Sequence, residues 1–297
     1  MPDSPFVLVT GATGKQGGAT ARALLSAGAA VHAFVRDPDA PRARALAAEG
    51  ATLVTGDLDD PASLVAALDG ARGVFSVQLP DMADLTGDLE VRHARTIATA
   101  ARKAGVEQIV HTSVSGTGTR GTIDAERWGA AFAHYWRSKE AAEQEMRDAE
   151  TRYLTILRPS TFMENFVQPS FYYAQNDPDQ LLVVTDPDVP QPFIAVADIG
   201  AAAAAAFAEP KRFHGVVLEY AGELLTFRQA AATLSEVLGR PITLPAGIPE
   251  ARAAGLHEAF IASQEYVGLH PAPADPDTAR TLGLPTTPFA TWARTTL

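Results

Sequence analysis

The sequence contains no cysteine. Disulfide bonds, thiolate metal sites, cysteine nucleophiles and thiol-based redox switches are therefore excluded for this chain. Histidine is sparse as well, and none of the seven histidines pairs at the His-x-x-x-His or His-x-x-Glu-His spacing of a helix-borne metal site. We therefore expect no metal, and any redox chemistry must come from a bound organic cofactor.

Long apolar runs are also missing. The sequence has no stretch of eighteen apolar residues and no basic-then-apolar leader, so we expect neither membrane spanning nor secretion, and a cytoplasmic location. The formal net charge of −11 disfavours nonspecific binding of nucleic acid, which needs clustered Lys and Arg. The 297 residues, 46% of them hydrophobic and 20% charged, indicate a globular protein with one large α/β domain or a large and a small lobe.

The stretch from Phe6 to Arg36 has the pattern of one strand, a glycine turn, a helix and a second strand. Gly11, Gly14 and Gly17 follow an apolar, β-rich run and precede the helical pattern. Glycine permits positive φ and lets backbone amides approach a pyrophosphate at the positive end of the following helix. The pattern therefore predicts dinucleotide binding. A purely structural turn is the alternative, because the spacing is Gly-x-x-Gly-x-x-Gly and not Gly-x-Gly-x-x-Gly.

Positive charges beside this turn favour NADP(H) over NAD(H). Arg36 ends the second predicted strand, where a carboxylate would bond the ribose 2′-OH but an arginine pairs with a 2′-phosphate. Lys15 adds a second positive charge, and the alternative is that both are solvated surface cations. We interpret Asp37 as the N-cap of a helix over residues 38–48. The turn residues expected to contact the cofactor are Gly11, Thr13, Gly14, Lys15, Gln16 and Gly17.

Helices and short apolar strands alternate through the following hundred or so residues. The pattern predicts strands at 51–55, 73–77 and 108–112 and helices at 61–68, 85–104 and 130–147. Such alternation predicts a Rossmann-type, doubly wound parallel sheet that helices cover on both faces. Ligands of these sheets bind at the carboxyl ends of the strands, so the residues after each strand are the candidates for the site.

Two strand ends carry candidate cofactor contacts. Asp57 and Leu58 follow the third strand, where a carboxylate and a backbone amide can read the adenine base. Asp60 is better placed to cap the next helix, which leaves Asp57 free; a loop acid that only caps this helix is the alternative. Val77 and Gln78 follow the fourth strand, where we expect the chain to pass the nicotinamide ribose.

The catalytic candidates follow the fifth strand. Ser113 and Ser115 place hydroxyls where the reacting carbon is expected. Tyr135 and Lys139 lie four residues apart on a predicted helix, which puts them on one face about 5 to 6 Å apart at Cβ. We expect the ammonium to lower the phenol pKa and bind the nicotinamide ribose, while the phenol protonates a carbonyl oxygen that a serine also contacts. A surface pair without a catalytic role is the alternative.

Several segments together make the chain resemble the NmrA-like proteins, which are atypical short-chain dehydrogenase/reductases. These are VTGATGKQGG at 9–18, FVRDP at 34–38, TGDLDD at 55–60, VFSVQLP at 74–80, Ser138-Lys139, LRPSTFMENF at 157–166 and VADIG at 196–200. The resemblance implies a Rossmann domain that prefers NADP(H) and a smaller C-terminal part that forms one wall of a substrate cleft. It also implies that Phe162 and Asn165 lie near the nicotinamide and Arg36 near the 2′-phosphate.

The resemblance implies two classes of function. Some members are NADPH-dependent quinone, azo or phenylpropanoid-type reductases, and others sense the NADP(H) redox state and regulate a partner protein without turnover. Many sensors lack a tyrosine four residues before the lysine, so Tyr135 favours an enzyme. We expect hydride transfer from NADPH to a small carbonyl, quinone, imine or conjugated acceptor, with the sensor as the alternative. A homodimer or a regulatory protein partner is possible in either case.

The C-terminal third is less regular. We assign residues 1–160 to the NADP-binding core and residues 161–297 mainly to a smaller α/β subdomain on the substrate side. A strand at 216–220 and a helix at 227–238 are expected to return to the main sheet, and a further helix over 249–268 is expected to line the cleft.

Two further side-chain assignments concern this third. Asp198 is expected to cap the Ala-rich helix that follows it. Phe171, Tyr172 and Tyr173 form either an apolar wall of the substrate pocket or part of the packing against the core.

Overall fold

A computed structural model describes residues 5–174 and 177–297 of the chain. Its strands are β1 Phe6–Val9, β2 Val31–Val35, β3 Thr52–Thr55, β4 Ala71–Ser76, β5 Gln108–Thr112, β6 Tyr153–Pro159, β7 Thr161–Phe162, β8 Gln191–Ile194, β9 Val217–Tyr220 and β10 Glu223–Leu225.

The helices alternate with these strands in the first half and cluster in the second. They are α1 Lys15–Ser26, α2 Pro41–Ala48, α3 Pro61–Ala67, α4 Leu89–Ala104, α5 Ala125–Trp128, α6 Ala130–Asp148, α7 Val196–Ala208, α8 Pro210–Phe213, α9 Phe227–Leu238, α10 Ile248–Ala253, α11 Glu258–Leu269, α12 Pro276–Thr281 and α13 Phe289–Thr296. A 3₁₀ helix spans Met163–Phe166.

The main sheet has seven strands in the order β3-β2-β1-β4-β5-β6-β9, and every neighbouring pair is parallel. The predicted doubly wound Rossmann sheet is confirmed. The strand order reverses between β1 and β4, and a crevice forms at such a point outside the carboxyl ends of the strands. The chain places its glycine turn directly at this point.

Both faces of the sheet are buried because side chains alternate along each strand. In β1, Val7 and Val9 face the cluster that contains α1, α2 and α7, whereas Phe6 and Leu8 face the cluster that contains α3, α4 and α6. This two-sided burial explains why β1 is uniformly apolar.

A smaller part of the molecule covers the carboxyl edge of the main sheet. It contains a three-stranded sheet in the order β10-β8-β7 and a cluster of aromatic side chains that includes Phe166, Phe193, Phe227 and Phe289. Strand β9 returns to the main sheet beside β6, as predicted. Helix α9 does not return there, because Phe227, Ala230 and Leu234 bury its apolar face in the smaller part.

Three predicted helices differ from the structure by more than one residue at a start or are divided in two. The helix predicted over 38–48 begins at Pro41, because the Asp37 carboxylate accepts the Asp39 N–H in a turn. The helix predicted to begin at residue 85 begins at Leu89. The helix predicted over 249–268 is two helices, α10 and α11, with Gly255 at a φ of 103° between them.

The predicted cap of α7 is also wrong. Asp198 lies inside the first turn, and its carboxylate accepts hydrogen bonds from the backbone N–H and the hydroxyl of Thr287. The side chain that bonds the first N–H of α7, that of Val196, belongs to Glu164, far away in sequence. A partner so distant cannot be recognised from the local pattern.

Candidate functional site

A cleft of about 700 Å³ lies at the carboxyl ends of β1, β2, β3 and β4. Its walls come from the glycine turn after β1, from the segments that follow the next three strands, from α4 and from β7. The residues that line it include Gly11, Thr13, Gly14, Lys15, Gln16, Gly17, Arg36, Arg42, Asp57, Leu58, Val77, Gln78, Leu79, Met82, Leu89 and Phe162. Most of the predicted cofactor contacts therefore lie around one cavity.

The glycine turn is closely packed and leaves no room for side chains. Gly11 has a φ of 58°, and a Cβ on Gly17 would lie 2.2 Å from the Gly11 carbonyl oxygen. Gly14 is the N-cap of α1 and, having no side chain, forms no capping hydrogen bond to the N–H groups of the first turn. Such a helix N-terminus suits an anion, so these residues fit the pyrophosphate of a dinucleotide.

Three cations surround this turn. Arg36 is exposed at the cleft and forms no ion pair with any residue in 5–174 or 177–297. Arg42, which the sequence analysis missed, also lines the cleft and donates to the Thr13 carbonyl oxygen at 3.3 Å. No local motif marks Arg42, since only the fold brings α2 back to the turn. Arg36 and Arg42 together fit a 2′-phosphate better than a lone surface arginine does.

Lys15 connects the turn to the smaller part of the molecule. Its Nζ lies 3.2 Å from both the Glu164 carbonyl oxygen and the Asn165 Oδ1, to which it donates. Burial lowers the pKa of Lys15, and the nearby Glu164 carboxylate counteracts this. Asn165 is thus held through Lys15, while the half-buried Phe162 lies on the cleft wall itself.

The segment after β3 differs from the prediction in one respect. Asp60 caps α3 by accepting the Ala62 N–H, as predicted. Asp57 is not free, however, because its N–H donates to the Ser63 hydroxyl and its Oδ1 accepts the Asp59 N–H. Asp57 and Leu58 line the cleft, and their contact with adenine stays a prediction.

The segment after β4 leads into a buried polar chain. The Val77 N–H donates to the Thr10 hydroxyl at 3.2 Å. The Gln78 side-chain amide donates to the Ser76 hydroxyl at 2.7 Å, and that hydroxyl lies 3.1 Å from His111 Nδ1. Burial lowers the pKa of His111 to about 4, so its imidazole is neutral at neutral pH. These bonds fix the backbone where the chain passes the cleft.

Gln16 ties the glycine turn to the fifth strand. Its side-chain oxygen accepts the Thr112 hydroxyl at 2.6 Å. The turn is therefore held from two sides, since Lys15 binds it to the 3₁₀ helix. A phosphate site built on such a turn is preorganised for its ligand.

Tyr135 and Lys139 lie on α6, as predicted, with the Lys139 Nζ 5.3 Å from the centre of the Tyr135 ring. Neither lies among the residues that line the cleft. Lys139 forms an ion pair with Glu90 of α4, a partner that the sequence analysis missed.

The Lys139 ammonium acts to lower the pKa of the Tyr135 phenol, as predicted, but the net change is a rise. Burial raises the pKa of Tyr135, and the attraction of the Lys139 ammonium is too weak to reverse this. The Glu90 carboxylate also raises it. Its phenol therefore stays protonated at neutral pH.

Ser113 and Ser115 are buried and bonded to protein groups. The Ser115 hydroxyl donates to Glu219 Oε2 at 2.6 Å, and the Ser113 hydroxyl lies 3.2 Å from that of Thr117. Neither serine lines the cleft, contrary to the expectation that both hydroxyls face it. A contact with a substrate requires these bonds to rearrange, so their catalytic role stays a prediction.

The aromatic run after the 3₁₀ helix contributes mainly to packing. Tyr172 and Tyr173 belong to the aromatic cluster of the smaller part. Phe171 is about half exposed and stacks on Phe260 of α11 at 4.9 Å between ring centres. These residues are absent from the cleft wall, so the packing alternative describes them better.

Residues 5–174 and 177–297 contain neither a metal site nor a membrane-spanning helix. No group of three or more His, Asp and Glu side chains is arranged to hold a metal ion. In the same residues, no helix combines the length and apolar composition needed to cross a membrane.

Comparison with known proteins agrees with this geometry. An NAD(P)H azoreductase of Xenophilus azovorans is 27% identical, with 88% of this chain and 89% of that protein covered. Quinone oxidoreductase 2 of Escherichia coli is 29% identical over 91% of this chain and 85% of its own. The fold also matches a crystal structure of NmrA, a negative transcriptional regulator, in complex with NADP, with a TM-score of 0.77, 22% identity and coverage of 98% and 95%.

The family assignment rests on a match that spans most of the chain. The model of the NmrA-like family matches residues 3–273, which include the glycine turn, the cleft and most of the smaller part. The chain belongs to the NmrA-like family.

Proposed function

We propose that this protein is an NADPH-dependent reductase that reduces a small carbonyl, quinone, imine or conjugated acceptor. One observation carries the proposal: a single cleft is lined both by a glycine turn with neighbouring cations and by apolar side chains. The cations are Lys15, Arg36 and Arg42, and the apolar side chains include Leu79, Met82 and Phe162. The reductases among its relatives support the same function.

The residues of the cleft fit NADP(H) along its whole length. The turn from Gly11 to Gly17 would hold the pyrophosphate, Arg36 and Arg42 the 2′-phosphate, and Asp57 with Leu58 the adenine. Val77, Gln78 and Phe162 would border the nicotinamide ribose, with Lys139 behind them and Asn165 placed through Lys15. When bound, NADPH supplies the two electrons of the reduction as a hydride.

The chain's own residues supply the proton. Tyr135 keeps its phenol protonated at neutral pH, because burial raises its pKa. When the acceptor gains its hydride, the O–H bond of Tyr135 breaks and the proton goes to the acceptor oxygen or nitrogen. The tyrosinate left behind is stabilised by the Lys139 ammonium and regains a proton from solvent.

One observation favours a second candidate, a redox sensor that binds NADP(H) without turnover and controls a protein partner. Tyr135 and Lys139 lie outside the cleft wall, and Lys139 is already paired with Glu90. Such a protein needs the nucleotide cleft but no proton donor. The fold match to a transcriptional regulator is consistent with this candidate.

An NADPH-oxidation screen distinguishes the two candidates. Quinones, enones, imines and carbonyls would be offered as acceptors, and NADPH binding would be measured in parallel. We expect acceptor-dependent oxidation, and Tyr135→Phe should slow it by about a hundredfold or more, because a positioned acid contributes roughly that much. NADPH affinity should not change.

Tyr153→Phe is the matched control, since Tyr153 packs against His214 at the amino end of β6, away from the cleft. Full turnover by Tyr135→Phe would show that Tyr135 is not the proton donor. Tight NADPH binding with no oxidation by any acceptor would favour the sensor.

A further inference from the structure

A buried ion pair lies behind the wall of the cleft. Glu90 of α4 and Lys139 of α6 are 4% and 8% exposed, and the Lys139 ammonium donates to Glu90 Oε1. Glu90 Oε2 is buried and has no partner in the described ranges 5–174 and 177–297. The charge of this carboxylate is therefore balanced by Lys139 alone. Leu89, the residue before Glu90, lines the cleft.

The other charged groups near this pair are engaged elsewhere or lie farther away. On α6, Glu143 pairs with Arg158 and Arg147, and Glu140 is exposed. Arg120 lies near Tyr135 but stacks its guanidinium on Trp136, 4.3 Å from the ring centre.

Two histidines also lie close to Lys139. His111, which is neutral at neutral pH, is within electrostatic range of it. His134 bonds the Gly87 carbonyl oxygen and the Ser138 hydroxyl. No other carboxylate in the described part of the chain forms an ion pair with Lys139.

A lysine buried without a counter-ion loses its proton easily, because burial penalises the charged form. At Lys139, Tyr135 and Glu90 counteract burial, and the pKa of this lysine is raised above its ordinary value. The lysine can assist catalysis only as a cation, since only the ammonium stabilises a tyrosinate or donates all its bonds to a ribose.

We propose that Glu90 is a positioning residue that keeps Lys139 charged and directs its ammonium toward Tyr135. Its role in turnover rests on the proposed reductase function, whereas its effect on the charge of Lys139 does not. A failure of the proposed reductase function can therefore be distinguished from a failure of the role of Glu90, because the charge of Lys139 can be measured without cofactor or acceptor.

The test is a pH titration of the lysine side chains by NMR of protein labelled at the lysine ε-carbon. The chain has four lysines, Lys15, Lys103, Lys139 and Lys211, and Lys139→Arg identifies the Lys139 signal. In Glu90→Gln, we expect Lys139 to titrate at a pH lower by about one unit or more, because it loses an opposite charge at contact distance. The wild-type signal should stay that of an ammonium throughout the neutral range.

Two variants serve as controls. Glu140→Gln makes the same charge change on the exposed face of α6, next to Lys139, and should leave the Lys139 titration unchanged. Glu90→Asp keeps the carboxylate and should largely restore the wild-type titration. An unchanged Lys139 titration in Glu90→Gln would overturn the proposal, as would an equal shift in Glu140→Gln.

Turnover gives a second readout. NADPH oxidation by Glu90→Gln should decline as pH rises through the lowered Lys139 pKa, while the wild type stays active at that pH. Loss of activity by the same factor at every pH, with an unshifted Lys139 titration, would show a merely structural role for Glu90. If no acceptor is reduced by the wild type, the proposed function fails but the NMR titration still decides the role of Glu90.

Discussion

At the scale of single residues, we predict that the choice between NADPH and NADH depends on Arg36. Its side chain lines the same cleft as that of Arg42 and forms no ion pair with any described residue. A guanidinium group can pair with the 2′-phosphate that distinguishes NADPH from NADH. We therefore expect Arg36 to affect cofactor choice more than any other side chain.

Arg36→Asp should reverse the preference for NADPH over NADH. The variant loses a charge-assisted contact worth about 1.5 to 3 kcal/mol, which corresponds to roughly tenfold to a hundredfold in relative affinity. The new carboxylate can in addition bond the ribose 2′-OH of NADH. The measurement is the ratio of the two dissociation constants at constant salt concentration.

Arg44→Asp is the matched control for this change. Arg44 is exposed, lies on α2 two residues after Arg42 and is not part of the cleft wall. The Arg44→Asp variant should lower the affinities for NADPH and NADH slightly and by the same factor. An unchanged ratio in Arg36→Asp would show that the 2′-phosphate contact lies elsewhere.

His111 should make the stability of the protein pH-dependent. Its pKa is lowered from 6.5 to about 4 by burial, so between these values the unfolded chain binds a proton that the folded chain does not. The free energy of unfolding should therefore rise as the pH increases from about 4 to 6.5, and it should fall as the pH is lowered through this range. The contribution is about 3.5 kcal/mol at most, since each unit of pKa corresponds to about 1.4 kcal/mol.

Urea unfolding at several pH values measures this effect. His111→Asn should flatten the rise between pH 4 and pH 6.5, whereas His270→Asn, at an exposed position after α11, should not. If the free energy of unfolding of His111→Asn rises with pH as steeply as that of the wild type, other groups cause the pH dependence.

At the scale of secondary-structure elements, helices α1 and α7 position the glycine turn. They pack so closely that a Cβ on Gly200 of α7 would lie 2.5 Å from the Ala19 carbonyl oxygen of α1. The N-terminus of α1 is the predicted pyrophosphate site, so we expect this contact to help orient it. The Gly in the segment VADIG thus has a packing role.

Gly200→Ala should lower the free energy of unfolding by about 1 to 3 kcal/mol, because forcing a methyl group into a packed contact shifts the backbone. Helix propensity alone predicts the opposite, a gain of about 1 kcal/mol. Chemical denaturation shows directly whether the free energy of unfolding falls or rises in Gly200→Ala. We also expect Gly200→Ala to bind NADPH more weakly. If Gly200→Ala is instead more stable than the wild type, helices α1 and α7 can move apart without cost.

The elements of the core could be predicted because their signals are local. Strand β5 and helix α9 match the prediction residue for residue, since periodicity and flanking turn residues define them. The predicted start of α2 is wrong, because Pro38 and Pro41 both suit the first turn of a helix. The turn at Asp37 places the start at Pro41. The prediction joins α10 and α11, which are separated by Gly255 at a positive φ and by His257, whose side chain accepts the Ala259 N–H at the start of α11.

The site could be predicted only as far as it depends on the strand ends. The glycine turn, Arg36, Leu58 and Val77 lie where the predicted sheet required them. Arg42 and Glu90 were missed, because their significance comes from contacts between elements that are distant in sequence. The net rise of the Tyr135 pKa could not be predicted for the same reason, since it comes from burial and from Glu90, which depend on the fold and outweigh the predicted effect of Lys139.

At the scale of the whole molecule, the charge distribution supports a phosphate-bearing ligand at one place. The chain carries a formal net charge of −11, yet Lys15, Arg36 and Arg42 all lie at the same cleft. The same wall also carries Asp57, Asp59 and Asp81, so the attraction for an anionic ligand depends on the cations next to the glycine turn and not on the charge of the whole cleft. The smaller part adds Phe162 to the wall, so both parts of the chain contribute to the cleft.

We propose that this cleft brings NADPH to an acceptor and that hydride transfer follows. The measurement that tests this uses NADPH deuterated at the transferable position of the nicotinamide, together with a carbonyl, imine or enone acceptor that the oxidation screen identifies. We predict deuterium at the reduced carbon of the product, at a much lower rate in Tyr135→Phe and at the wild-type rate in Tyr153→Phe. Saturated NADPH binding with no deuterium transferred to any acceptor would contradict the reductase.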